Sequence, residues 1–171
     1  MLVTYSVVLI LSLLLLGTVL FAIIFGQLAA VQQQTSRYTT VMNLASHIAS
    51  HREAFNRLIF TATTEEQRIQ ALSDINGAEA RAKQELQRLE TSYEISPEQY
   101  FLLRGIWNGL DFIAQQQSLV LQELPLDIAG FTRYYTIEMT YNYLDNYVYS
   151  RFLSSVVTQD AQAVQRMQST I

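Results

Sequence analysis

The stretch VVLILSLLLLGTVLFAIIF, from Val7 to Phe25, decides the fold of this 171-residue chain. It carries no charged side chain, and the first one in the chain is Arg37. A helix rises about 1.5 Å per residue, so about twenty apolar residues cross the ~30 Å hydrocarbon core of a bilayer. Lipid offers the backbone no hydrogen-bond partners, so a helix is the stable form of such a run there. The sequence therefore predicts a transmembrane anchor within residues 1–30.

Two other interpretations of this stretch stay open, a cleaved secretory signal and a buried core helix. A secretory signal has a basic N-terminal region, a shorter apolar core and a small-x-small cleavage site. No Lys or Arg precedes Val7. At the candidate cleavage site before Val31, the two positions that should hold small residues are Leu28 and Ala30, and leucine is not small. These features favour an uncleaved anchor. The positive-inside rule says little about its orientation, because Arg37 is the only basic side chain near either end of the stretch.

The remaining residues, 31–171, are numerous enough for one domain with its own core. The formal net charge of −4 and the single lysine, Lys83, argue against a nucleic-acid partner. The absence of cysteine from the sequence excludes thiol catalysis and cysteine-ligated metal sites. With only two prolines and six glycines, the chain should form few and long elements.

Apolar residues recur at intervals of three and four, which predicts amphipathic helices over about 31–62, 65–91, 97–123 and 129–157. The fold class is all-α: an N-terminal transmembrane helix followed by an up-and-down antiparallel helical bundle. Capping boxes mark two of the starts, at Thr63 or Thr64 and at Ser96. The predicted inward faces include Leu72 on the second helix, Tyr100 on the third, and on the first Tyr38, Val41, Ala45, Ile48, Arg52, Phe55, Ile59 and Ala62.

A fifth helix is predicted from Gln159 onward, because Thr158-Gln159-Asp160 has the composition of a capped helix start. The segment Arg57–Leu72 resembles the segment Arg151–Met167, and both are typical of a helix, a capped turn and a second helix. The similarity indicates either an internal repeat or two ordinary amphipathic hairpins. If the repeat is real, the fifth helix is cut short and the domain lacks its C-terminal part.

No catalytic motif is present in the sequence. His47 and His51 are four residues apart and share a helix face, but a zinc site needs further ligands that no pattern marks. A solvated polar face is the interpretation favoured for both. There is no glycine-rich phosphate loop and no nucleophile elbow. The sequence predicts neither an enzyme, nor a metal site, nor a cofactor.

Three residues are candidates for contact with a ligand or partner. Arg52 interrupts the apolar face of the first helix, where a charge needs a carboxylate, water or an anionic ligand. A structural ion pair with an acid such as Glu79 is the first interpretation, and an anionic ligand is the second. Tyr143 and Tyr147 project from another face of a tyrosine-rich helix, where exposed aromatics can mark a dimer or partner surface.

The run AFNRLIFTATTEEQRIQAL (Ala54–Leu72) and the run YYTIEMTYNYLDNYVYSRFLSSVVTQDA (Tyr134–Ala161) resemble the extracytoplasmic sensor regions of bacterial transmembrane sensor histidine kinases. Chemoreceptors and helical nitrate-sensing modules are similar in outline. The resemblance implies a dimeric sensor domain of a two-component system, outside the cytoplasm at the cell membrane, with a second span and a kinase downstream.

The expected function is therefore signal input to a bacterial receptor. A small ligand or a protein partner would bind the bundle, and the first helix would carry the change to the span in the lipid. The alternative is a membrane-anchored structural or adaptor bundle that binds another protein and has no signalling output.

Overall fold

The computed structural model describes residues 2–124 and 126–168, and every regular element within them is a helix. In chain order the elements are α1 (Leu2–Phe60), α2 (Glu65–Ser92), α3 (Pro97–Gln122), α4 (Ile128–Tyr143), a π-helical segment (Leu144–Tyr149) and α5 (Ser150–Gln168). The predicted all-α class is confirmed.

The chain divides into two compact units between Ser36 and Arg37, and α1 contributes residues to both. Among residues 11–36 of the first unit the large apolar side chains are exposed, including Leu15 and Phe21. Among the described residues, one helix is long and apolar enough to cross a membrane, and it lies near the N-terminus. Its apolar residues are those in which the sequence predicts the anchor, and a bilayer would shield them from water.

Contacts between helix ends establish the topology of the second unit. The hydroxyls of Thr40 on α1 and Tyr93 at the end of α2 lie 3.3 Å apart, so these helices are antiparallel. Arg37 on α1 binds Gln99 at the start of α3 and Gln159 on α5. Helix α3 therefore runs parallel to α1, and the continuous run from α4 to α5 is antiparallel to both. The up-and-down antiparallel bundle is confirmed.

Helices α2 and α3 begin at the predicted capping residues. Thr64 and Gln67 form a capping box at the start of α2, and Ser96 and Gln99 form another at the start of α3. Each box satisfies backbone N–H groups that have no partner within the helix. Helix α2 continues without a break through Gly77.

The inward face of α1 is rotated from the predicted one. Leu44 and His51 are buried, whereas Tyr38 is exposed and Arg52 lies at the edge of the core. The face that is buried carries Val41, Leu44, Ile48, His51, Phe55 and Leu58. It places Leu44 and Leu58 in the core, whereas the predicted face would have placed the charge of Arg52 there. Two other predicted core residues, Leu72 and Tyr100, are exposed.

The predicted turn at Thr158 is wrong. Helix α5 runs without a break from Ser150 to Gln168, and Thr158 Oγ1 donates to the carbonyl of Ser154 at 2.9 Å. A cap needs an extended backbone at the capping residue, and neither glycine nor proline interrupts the helix here. The two similar segments therefore differ, since the first contains the capped turn at Thr64 and the second is one helix.

Candidate functional site

Arg52 lies in an ionic cluster that joins α1 to α4 and to the π-helical segment. Its Nε and Nη2 donate to Glu138 Oε2 at 3.0 and 2.5 Å, and its Nη1 lies 3.6 Å from Asp145 Oδ2. The guanidinium carbon lies 5.7 Å from the ring centroid of Tyr141. The hydrogen bond to Glu138 raises the pKa of Arg52, so the side chain stays charged. Two carboxylates already neutralise this arginine.

His51 lies in the core beside this cluster and is 1% exposed. Its Nδ1 is 2.5 Å from the hydroxyl of Tyr141, and Gln117 Nε2 donates to the same oxygen at 3.2 Å. An amide N–H can only donate, so the Tyr141 hydroxyl oxygen accepts from Gln117. The direction of the bond to His51 depends on the imidazole tautomer: the hydroxyl donates to Nδ1 when the ring carries its proton on Nε2. Nε2 of His51 has no hydrogen-bond partner among the described residues.

Burial keeps the His51–Tyr141 pair neutral. It lowers the pKa of His51 below 6.5, and it raises the pKa of Tyr141 far above its ordinary value. Glu79 and Lys83, both on α2, act on His51 in opposite directions and are the next largest influences. At neutral pH the centre of the bundle therefore contains the uncharged His51–Tyr141 pair, and the charged Arg52 cluster lies beside it.

The helical hydrogen bonding changes register next to the ionic cluster. The π-helical segment begins at Leu144, and Asp145 belongs to it. Its close approach to α3 requires a glycine, because a Cβ placed on Gly109 would lie 2.6 Å from Leu144 Cδ2. Single π-helical turns inside α-helices occur often at functional sites.

A second polar group surrounds the buried Arg37. Its Nη2 donates to Gln99 Oε1 at 2.7 Å, both Nη atoms donate to Gln159 Oε1 at 3.3 Å, and Asp160 Oδ1 lies 3.7 Å from Nη1. Gln99 Oε1 also accepts the backbone N–H of Ser96 at 3.0 Å. Burial lowers the pKa of Arg37, and the charge of Asp160 opposes that effect. This arginine ties α1 to the start of α3 and to α5.

An open polar cleft of about 810 Å³ lies beside the Arg37 group, between the start of α3 and α5. Gln99 and Gln159, which bind Arg37, both line it. The charged lining residues are Glu94, Glu98 and Arg151, and hydroxyl groups come from Ser96, Ser154, Ser155 and Thr158. A molecule in this cleft lies beside two residues whose side chains are hydrogen-bonded to Arg37 on α1. Its carboxylates disfavour a ligand of high negative charge.

The histidine pair does not form a metal site in the described part of the chain. His51 is buried against Tyr141 and His47 is half-buried, so the expectation of a solvated face is wrong for His51. Burial also lowers the pKa of His47. Among the described residues, no group of three or more His, Cys, Asp or Glu side chains could hold a metal ion.

The three residues singled out in the sequence have different surroundings. Arg52 forms an ion pair as predicted, but with Glu138 rather than Glu79, and Glu79 pairs with Lys83 at 2.9 Å. Tyr143 is half-exposed on α4. Tyr147 belongs to the π-helical segment, and its side chain lies outside the described residues.

The burial of Arg37, His51 and Gln117 was not predicted from the sequence. The spacing Leu44–Ile48–His51–Phe55 contained the signal for His51, since it continues one apolar face of α1. The same spacing places Arg37 one turn before Val41 on that face and Gln117 between Ile113 and Val120 on α3, but it does not indicate which partners these polar side chains meet.

Comparison with known proteins gives no match to a family model, a curated protein or a solved structure.

Proposed function

We propose that this chain is the signal-input part of a membrane-anchored bacterial receptor. A small polar ligand occupies the cleft between the start of α3 and α5, and the change reaches the apolar span through α1. The bundle is placed outside the cytoplasm in this proposal. One support is the resemblance of Ala54–Leu72 and Tyr134–Ala161 to the extracytoplasmic sensor regions of bacterial sensor histidine kinases. The other is the arrangement of side chains around Arg37.

The single observation that carries the proposal is that Gln99 and Gln159 have two roles. Both line the cleft, and both accept hydrogen bonds from the buried Arg37. Gln159 is the more exposed of the two, and a ligand that hydrogen-bonds to its carboxamide changes the bonding of Arg37. Because α1 also contains the apolar span, that change occurs on the element that enters the membrane. Such a response requires two arrangements of α1 against the bundle, and a ligand that binds one of them more tightly than the other.

The cleft favours ligands with hydroxyl, amide or ammonium groups and little net negative charge. Hydroxyl and carboxamide groups dominate its lining, and Glu94 and Glu98 outnumber Arg151. Suitable probes are free amino acids, short polyols and monosaccharides.

Hydrogen exchange on the full chain in lipid nanodiscs tests the proposal. A probe that binds should alter exchange in the cleft and also in α1 around Arg37. Arg37→Gln should keep the change at the cleft and lose it in α1. Arg57→Gln is the matched control, because Arg57 lies on the same helix but pairs with Asp74 at the other end of the bundle.

Two other outcomes of the hydrogen-exchange experiment would count against the proposal. A response confined to the cleft favours the alternative of an adaptor that transmits nothing. If none of the probe classes binds, the cleft is not the input site. Orientation has a separate test, since a reporter that works only in the cytoplasm should stay inactive when fused to the C-terminus.

A further inference from the structure

The outer face of α4 is apolar along its whole length. We call it the α4 outer face and define it by five side chains that are 51–88% exposed: Ile128, Phe131, Tyr135, Met139 and Tyr143. The last four are spaced by four residues, so they form one row on the helix. Contiguous exposed apolar surface of this size marks an interaction site more often than scattered apolar residues do.

This face carries no charged side chain. The only charged residues of α4 are Arg133 and Glu138; Arg133 pairs with Glu123 at 3.1 Å, and Glu138 pairs with Arg52. Helix α2, by contrast, carries ten charged residues, six acidic and four basic. A helix face that stays in water normally has charges, whereas the core of a protein interface is depleted of them and enriched in aromatic residues and Met.

The threonine hydroxyls along α4 are already satisfied within the helix. Thr132, Thr136 and Thr140 each donate their hydroxyl to the carbonyl four residues earlier, at 2.8 to 2.9 Å. Burying a hydroxyl is costly only when its hydrogen bond is lost. Another surface can therefore cover these threonines without leaving their hydroxyl protons unpaired.

We propose that the α4 outer face is the surface through which two copies of this chain associate, with α4 packed against α4 of the second copy. A twofold contact needs a patch that is complementary to itself. An uncharged row meets its own copy without like-charge repulsion. Anchoring in one membrane also raises the effective concentration of neighbouring copies.

The available area is sufficient for a specific contact. Large side chains bury roughly 150–250 Å² each when they are covered completely. Five that are about half-exposed remove on the order of 500 Å² per copy, or ~1,000 Å² for the pair, which reaches the lower limit of specific interfaces.

A single introduced cysteine tests the geometry, because the chain has none of its own. Thr136→Cys stands in the middle of α4, and mild oxidation of the full chain in nanodiscs should convert it to a disulfide-linked dimer. Gln84→Cys, exposed on α2, is the matched control and should stay monomeric under the same conditions. Equal cross-linking at both positions would indicate random collision and overturn the proposal.

A charge placed in the interface tests the energetics. Tyr135→Glu should weaken self-association of the full chain in detergent by about tenfold or more, since a charge buried without a partner is costly. Phe101→Glu is the control, because Phe101 is 76% exposed on α3, away from this face. Sedimentation equilibrium gives both association constants, and circular dichroism checks that both variants keep their helicity.

Three results would overturn the inference. The first is a chain that is monomeric at every concentration tested. The second is a dimer that survives Tyr135→Glu, which would assign association to another segment, such as the apolar span. The third is equal weakening by Phe101→Glu, which would show a non-specific effect of added charge.

Discussion

His51 on α1 and Tyr141 on α4 share a hydrogen bond of 2.5 Å at the centre of the bundle. Gln117 on α3 donates to the same phenol oxygen at 3.2 Å, so three helices meet at one buried hydroxyl. The Tyr141 hydroxyl pairs His51 Nδ1 and Gln117 Nε2, which lowers the cost of burying these polar groups in a core. It also fixes which rotation of α1 faces α4.

Removal of the Tyr141 hydroxyl should destabilise the bundle. Tyr141→Phe leaves His51 Nδ1 and Gln117 Nε2 buried without this partner, and an unsatisfied buried group costs about 1–3 kcal/mol. We expect a loss of this size in the free energy of unfolding, measured by urea unfolding in detergent. Tyr135→Phe, exposed on the same helix, should change it by less than about 0.5 kcal/mol. An equal effect of both substitutions would contradict the buried role.

Stability should depend on pH through His51. Burial lowers the folded-state pKa of His51 below 6.5, so between the two values the unfolded chain binds more protons than the native one. The contribution of His51 is therefore fully present above about pH 6.5 and falls as the pH drops through that window. Unfolding measured between pH 5 and 7.5 should show this decline.

The control for the pH prediction is the neighbouring histidine. His51→Gln should flatten the dependence on pH, because an amide does not titrate there and can still bond Tyr141. His47 also has a pKa lowered by burial, but it is more exposed, so His47→Gln should remove a smaller part of the slope. Asp145 and Asp160 have pKa values raised by burial and act in the opposite direction at lower pH. A slope that survives both histidine substitutions would refute the assignment.

The Arg52–Glu138 pair should couple in a double-mutant cycle. Arg52→Ala leaves Glu138 in a setting where its side chain is 16% exposed, and the arginine itself is 30% exposed. The expected cost is about 1–2 kcal/mol, between that of a surface pair and that of a fully buried one. Glu138→Ala should cost a similar amount, and the double variant should cost less than the two together. Full additivity would show that the pair contributes nothing.

The sequence was sufficient for the parts of the fold that depend on local chemistry. The uncharged stretch Val7–Phe25, the capping boxes at Thr64 and Ser96, and the class of the bundle all follow from composition and spacing along one segment. A capping box satisfies its own helix end, so it can be recognised without knowledge of the partners.

The parts that depend on which helices meet were not predictable in the same way. The choice of Glu138 rather than Glu79 for Arg52 follows from the rotation of α1, which the apolar face through Leu44 and His51 determines. The π-helical segment has no counterpart in the spacing of apolar residues, and the continuous helix at Thr158 places Gln159 against Arg37 of α1. Spacing within one helix does not contain that information.

Two glycines inside helices should respond to alanine in opposite directions. Glycine in a helix interior costs about 1 kcal/mol relative to alanine, so Gly77→Ala should stabilise by up to about that amount. Its added Cβ would lie 3.3 Å from Nη1 of Arg81, the flexible end of a side chain.

At Gly109 the same change should destabilise, because a Cβ there would lie 2.6 Å from Cδ2 of the buried Leu144. Overpacking in a core typically costs about 1–3 kcal/mol, which exceeds the gain in helix propensity. Urea unfolding of the two variants in parallel measures the contrast. Adding Gly109→Ala to Leu144→Ala should cost less free energy of unfolding than Gly109→Ala costs in the original chain, because the smaller side chain removes the clash. If Gly109→Ala stabilises as much as Gly77→Ala, the close approach of the π-helical segment to α3 is wrong.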